Sequence, residues 1–207
     1  MTVSPHPQAR DKLLDAAIAV VRAKGFNAAS VDDLCKAAGV TKGAFFHHFP
    51  SKESLGVEAA RHWSQMTGAL FASAAYHQPS DPLDRVLAYI DFRMAILDGK
   101  PSEFTCYAGT TVQETFDQST PIREACRDAI FDHAATLEAD IGEAMKIHGV
   151  EESDARSLAL YTQAVLQGAF ILAKADNGPE IARQMVGHLR RYFELLFKVE
   201  GTDRKTS

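Results

Sequence analysis

Between residues 30 and 52 the chain gathers side chains suited to gripping a polyanion. Thr41, Lys42, His47, His48 and Lys52 can each donate to a phosphate oxygen or a base edge. Gly43 and Ala44 are small enough to let backbone approach a nucleic acid, and Ala44 can touch a thymine methyl group. The pattern predicts one short helix, Lys42 to His48, capped by Thr41 and closed by Phe49-Pro50. A further helix opens after Ser51, so two positive helix N-termini add to the attraction for phosphate. Ser30, the predicted cap of the preceding helix with Asp33 at its capping-box position, completes the candidate set. Phe45 and Phe49 are read as core.

The elements that position this set are helical. Leu14, Ala17, Ile18 and Val21 lie on one face of a first helix, which Gly25 ends. Val31, Leu34, Cys35 and Ala38 form the buried stripe of a second, stopped by Gly39. The second helix, a tight turn at Gly39-Val40 and the third helix make a helix-turn-helix, whose second member enters the major groove of DNA. A fourth helix from Lys52 carries Leu55, Ala59, Trp63, Met66 and Leu70 inward. After the break at Pro79-Ser80-Asp81-Pro82 come a helix to about Asp98 and a shorter stretch from Cys106 to Phe116. A long helix then runs from Thr120-Pro121 to Gly149, with Ile130, Leu137, Ile141 and Met145 inward. Ser153 caps the next, to about Ala175, and Asn177-Gly178-Pro179 turns into the last, Glu180 to Val199. The expected fold is all-α with about nine helices. It divides into a three-helix DNA-binding head (1–50), a larger helical body for ligand binding and dimerisation (51–200) and a frayed tail (201–207).

Composition is that of a globular protein: of 207 residues, 46% are hydrophobic and 24% charged, with a net charge of −5. The charge is uneven, +2 from Met1 to His62 and −7 beyond, as suits a protein that shows one end to a polyanion. No apolar run approaches the roughly 18 residues that span a bilayer, and the first ten residues lack an apolar signal core, so the cytoplasm is the expected location. Cys35, Cys106 and Cys126 lie 71 and 20 residues apart, without a CxxC pair, which argues against a disulfide framework and a metal site. Phosphate-loop, HExxH, G-x-S-x-G and dinucleotide-binding motifs are missing, and no cofactor is expected.

Residues 38–55, Ala-Gly-Val-Thr-Lys-Gly-Ala-Phe-Phe-His-His-Phe-Pro-Ser-Lys-Glu-Ser-Leu, closely resemble the N-terminal signature of the TetR family of bacterial transcriptional regulators. Gly25-Phe26, Ser30-Val31 and Leu34 fit the same domain, and the likeness covers about residues 10 to 60. The resemblance implies a dimeric repressor whose two heads engage a palindromic operator in successive major grooves. A small molecule in the body releases the DNA, and the fourth helix links the two parts. Phe46 stands where the family usually has a Tyr whose hydroxyl bonds a phosphate. The resemblance therefore implies weaker backbone anchoring here, or compensation from His47 and Lys52.

The body is read from its residues. Leu158, Tyr161, Val165, Phe170, Ile171, Val186, Leu189, Phe193 and Leu196 are too many for a single stripe on the last two helices, and Gly168 permits close helix approach. A second subunit is the natural second partner, as the resemblance also implies; a large intrachain core is the alternative. Trp63, Met66, Phe92, Met94, Phe104, Cys106, Tyr107, Phe116 and Tyr161 are candidates to line a pocket for a partly apolar effector, with Thr110 and Gln113 as polar anchors. Residues of these types at helical spacing also build ordinary core. Cys106 begins a helix, where a thiol becomes more reactive, so a redox or electrophile switch is a rival reading, as is a small buried hydrophobe. A helical enzyme or carrier is the remaining rival, although no paired carboxylates or activated nucleophile support it.

Overall fold

The computed structural model describes residues 9–151 and 153–199, and the expected tail at 201–207 lies outside them. Among the described residues every regular element is helical. The α-helices are α1 (Ala9–Lys24), α2 (Val31–Ala38), α3 (Lys42–His48), α4 (Lys52–Ala72), α5 (Pro82–Ala95), α6 (Pro101–Phe104), α7 (Tyr107–Thr115), α8 (Thr120–Ala135), α9 (Glu138–His148), α10 (Ala155–Asp176) and α11 (Glu180–Leu196). A 3-10 turn spans Ala75–His77. Eleven helices replace about nine for two reasons. Pro101 opens a one-turn helix of its own, and the long helix expected to reach Gly149 breaks after Ala135. At the break the Leu137 N–H donates to Ala134 O at 3.0 Å, a tighter turn than the α-helix, while Leu137 is buried.

Local chemistry accounts for most helix ends. Ser30 and Asp33 form a reciprocal capping box on α2, and Thr41 and Ser51 cap α3 and α4 through Ala44 N and Ser54 N. Gly39 sits at φ 66°, where its N–H reaches the last carbonyls of α2 without a Cβ penalty. At α10 the cap is Asp154, which accepts from Ser157 N at 2.8 Å, and not the expected Ser153.

The chain forms two compact units. Among the described residues, the first holds 9–73 together with Lys100–His133; the second holds Ala74–Gly99 together with 134–199. In the first, Leu13, Leu14, Ile18, Leu34, Phe45, Phe49 and Leu55 form one core with Tyr107, Ala108, Ile122 and Cys126. Phe45 and Phe49 are essentially fully buried, worth roughly 1.5–3 kcal/mol each, and they pin α3 to this core. On α4, Leu55 and Ala59 point inward as expected, but Trp63 is only half-buried and Met66 and Leu70 are exposed.

In the second unit α5 packs on α9 and α11, and α10 packs on α9 and α11. Arg85 joins α5 to Asp140 of α9 at 2.7 Å, and Arg190 of α11 bonds Asp91 at 2.8 Å. By length and mean hydropathy, 1.2, α10 passes as a membrane-spanning segment, contrary to the expectation from the sequence. It buries Thr162 and Gln163 among Leu158, Leu166 and Phe170 and covers neighbouring helices, the pattern of a core helix.

Candidate nucleic-acid interface

With Phe45 and Phe49 directed inward, helical spacing turns Thr41, Lys42, Gly43, Phe46 and His47 outward together. Ala44 and His48 lie half-buried at the edge of this face. The His47 and His48 rings meet edge to face at 4.9 Å. Phe46 is 53% exposed and packs edge-on against Phe45 at 5.1 Å, an apolar surface in the middle of a polar set. A Cβ added at Gly43 would meet only the Thr41 hydroxyl, at 3.7 Å, so the N-terminal turn of α3 is open there to an approaching backbone or base.

Four of the polar candidates are already engaged, three of them within the helix-turn-helix. Thr41 accepts from Ala44 N at 3.2 Å as the cap of α3. Ser30 donates its hydroxyl to Asp33 Oδ2 at 2.6 Å and accepts from Asp33 N at 3.1 Å, so its first role is to start α2. Lys42 bonds Asp32 of α2 at 2.8 Å, which pushes the lysine's pKa up through the hydrogen bond and the neighbouring charge. Both members of that pair are exposed, so the bond is weak and Lys42 can exchange it for a phosphate.

Lys52 departs from the sequence reading. Its ammonium donates to Phe26 O at 3.0 Å, Ala29 O at 3.1 Å and Asn27 O at 3.4 Å, and lies 4.7 Å from the centre of the Phe26 ring. Burial pushes its pKa down. All three N–H bonds are directed at the α1–α2 turn, so the residue expected to grip phosphate instead holds that turn against α4. Sequence reasoning missed this because the carbonyls it serves lie 23 to 26 positions earlier. Asp32, as the partner of Lys42, was missed too; its position at the exposed start of α2 is the available signal.

The pocket candidates are divided between the units. Trp63, Met66, Phe104, Cys106, Tyr107, Thr110, Gln113 and Phe116 belong to the first, and Phe92, Met94 and Tyr161 to the second. Tyr107 is a core residue, fully buried, with its hydroxyl donating to Gly56 O at 3.2 Å. Trp63 lies under the Arg22 guanidinium at 5.0 Å. Gln113 is exposed and donates to Gly109 O, one turn earlier on its own helix. Met66, Phe116 and Tyr161 are exposed, while Phe92, Met94, Phe104 and Thr110 are half-buried. An open groove of about 350 Å³ does run between α4 and α8, but other residues line it, among them Arg61, Ser64, Gln65, Glu124, Asp128 and Asp132.

Cys106 is half-buried, and its sulfur accepts from Gly109 N at 3.3 Å, capping α7. Burial pushes the Cys35 thiol up, and the Cys126 thiol up to about 12, so these two are inert core groups. Among the described residues no cluster of three metal-ligating side chains occurs.

The dimer candidates also separate by depth. Leu158, Phe170, Val186, Leu189 and Phe193 are buried between helices of their own chain, Val165 and Gly168 are half-buried, and Ile171 is exposed. The first five therefore belong to the intrachain core, because the inner stripes of α10 and α11 face each other. Tyr161, Ile171, Leu172, Tyr192 and Leu195 are large apolar residues of these two helices that are exposed, with the Tyr161 and Tyr192 rings 5.0 Å apart.

Comparison with known proteins agrees with this geometry. The chain is 26% identical over 174 residues to the HTH-type transcriptional regulator LmrA of Bacillus subtilis, covering 81% of this chain and 87% of that protein. Over 52 residues it is 42% identical to the HTH-type transcriptional repressor KstR2 of Rhodococcus jostii, which is 25% of this chain and 26% of that one. A TetR-family regulator structure from Agrobacterium tumefaciens shares the fold, with a TM-score of 0.76 at 23% identity over 89% of this chain and 96% of that one. Residues 13–59 match the bacterial regulatory proteins of the tetR family, and residues 82–185 match the LmrA/YxaF-like C-terminal domain of transcriptional regulators. The chain belongs to the TetR family of ligand-responsive, DNA-binding bacterial transcriptional regulators.

Proposed function

We propose that the chain is a homodimeric repressor that holds a palindromic operator through α3 and releases it when a small, partly apolar molecule binds the body. The observation that carries this reading is the outward face of α3. There Thr41, Lys42, Gly43, Phe46 and His47 are exposed together at the N-terminal end of a helix locked in place by Phe45 and Phe49. Lys42 and His47 serve base edges or phosphate, Thr41 and His48 flank them, and Ala44 with Phe46 supplies apolar contact to thymine methyl or sugar. Ser30 and Lys52 position the helix-turn-helix and do not grip DNA directly.

Dimerisation uses the outer face of α10 and α11. Tyr161, Val165, Gly168 and Leu172 recur at helical spacing on α10, beside Tyr192 and Leu195 on α11, and a contiguous apolar face of this kind marks a protein contact. In this reading residues 1–50 are the DNA-binding head and 51–200 bind effector and partner. The protein works in the cytoplasm, by binding and not by catalysis. Neither the Cys106 switch nor the enzyme reading is favoured by the relatives.

Selection from a pool of random duplex DNA at two salt concentrations, with the sedimentation of the complex measured, tests the proposal. An enriched palindrome bound by two chains is expected, with affinity falling steeply as salt rises. Absence of any enriched sequence, together with a single chain per duplex, would overturn it.

A further inference from the structure

The turn between α1 and α2 lies outside the two helices of the helix-turn-helix, yet two distant helices hold its backbone. Lys52 of α4 takes its carbonyls, as described, at Phe26, Asn27 and Ala29. The Glu114 carboxylate of α7 takes its amide: Asn27 N donates to Glu114 Oε2 at 2.7 Å. The Asn27 side-chain amide donates in turn to Glu114 O at 3.3 Å, so side chain and backbone of one α7 residue are both engaged. Gly25 stands at φ 90°, and a Cβ there would run into the same carboxylate, so the glycine serves the close approach as well as the turn. The ammonium thus holds the carbonyls of the turn and the carboxylate holds its amide, two groups of opposite charge.

The segment that carries Glu114 is itself tied to the same unit at both ends. Before it, the Tyr107 hydroxyl bonds Gly56 O on α4; after it, the Ser119 hydroxyl donates to Glu53 at 2.5 Å. Of the three ties, only Glu114 reaches past α4 to the turn from which α2 springs. Ala29, whose carbonyl Lys52 holds, immediately precedes the α2 cap Ser30.

We propose that Glu114 is a positioning residue for DNA reading: through the α1–α2 turn it sets the orientation of α2 and α3, so that a shift of α7 is transmitted to the helix that enters the groove. This rests on reading α3 as the DNA-contacting helix. Glu114 touches no DNA; it acts through Asn27 and, with Lys52, through Ala29.

The test uses the full-length protein and two variants, Glu114→Ala and Glu114→Gln. Hydrogen exchange of the Asn27 amide should quicken by about 10- to 100-fold in Glu114→Ala, the range for losing a hydrogen bond to a charged acceptor. Glu114→Gln, which keeps an acceptor without charge, should fall between. Affinity for an operator selected by the wild-type protein should fall by about ten-fold in Glu114→Ala, while affinity for random duplex stays within about two-fold, because long, exposed side chains can still reach phosphates from a tilted α3 whereas base-edge contacts need its exact set. A merely structural role would instead lower both affinities together, with the melting temperature. If Glu114→Ala does not fold, Glu114→Gln carries the same two readouts. Unchanged exchange at Asn27, or equal loss on operator and random DNA, overturns the proposal. The exchange measurement needs no DNA, so failure of the wild type to select any operator is distinguished from failure of the Glu114 contact.

Discussion

Replacing Lys52 by Met separates two roles that residue type alone cannot distinguish. Methionine keeps an unbranched stem of nearly the same length and deletes the ammonium that lies over the Phe26 ring, so packing of the stem changes little. The ammonium makes two good bonds, to Phe26 O and Ala29 O, and a long third to Asn27 O. Bonds from a charged donor contribute roughly 1.5–3 kcal/mol each when counted singly, and an ammonium over a ring adds about 0.5–1 kcal/mol. Two offsets apply: burial opposes the charged form and pushes the lysine's pKa down, and the space left by the ammonium can admit water to the carbonyls beside exposed Asn27. The net loss is therefore about 2 kcal/mol, equivalent to a drop of about 4–8 °C in melting temperature for a chain of this size. Urea unfolding at one fixed protein concentration reads the first quantity, since dimerisation makes stability concentration-dependent. The salt dependence of binding to random duplex reads the second. With Lys52 holding the turn, the slope of log affinity against log salt should not change. A variant as stable as the wild type, whose slope falls by about 1 for each head, would refute the reasoning and make Lys52 a phosphate contact.

Three further predictions follow from the same contacts. Asp32→Asn should free Lys42 and raise affinity for random duplex by about two- to five-fold, the scale of an exposed ion pair; unchanged affinity in a filter-binding titration would show that Asp32 does not compete with DNA. At pH 8 a maleimide should label native protein at Cys106 alone, because Cys35 and Cys126 are buried and the Cys126 thiol is pushed up to about 12; peptide mapping that finds Cys126 modified before unfolding would contradict this core. Leu172→Glu places a charge on the proposed dimer face of α10 and should weaken self-association by more than about 100-fold in sedimentation equilibrium, with loss of operator binding. Persistence of the dimer would move the interface elsewhere.

Features written in a few adjacent residues were legible in the sequence. The caps at Ser30, Thr41 and Ser51 act on amides three residues away, and Gly39 acts on the preceding turn, so each can be read without knowing the fold. The α8–α9 break carried no such mark: Ala135-Thr136-Leu137 contains neither glycine nor proline, and the turn is kept by the burial of Leu137. Periodicity identified α10 and α11 as apolar on several sides but could not order those sides by depth. Leu158, Val186 and Phe193 were therefore grouped with Ile171, although the first three pack against their own chain and the last faces outward. Lys52 shows the same limit at a single residue, because a lysine following a helix cap serves a phosphate or a carbonyl with equal ease.

The interface face of α3 was legible because its inward partners, Phe45 and Phe49, lie within its own few turns. What holds that face at an angle was not, because the core beneath it is completed from far along the chain. Tyr107, Ala108, Ile122 and Cys126 enter the same core as Leu13, Leu34 and Phe45, and Glu114 reaches Asn27 across 87 positions. A head reading of residues 1–50 thus describes which side chains of α3 face outward, whereas the unit that fixes their geometry includes residues 100–133. If the head were a closed fold with its own core, a change in the body could alter only its distance from another head. Because α7 and α8 supply part of the core and the amide partner of the α1–α2 turn, a change in those helices can alter the set of α3 itself.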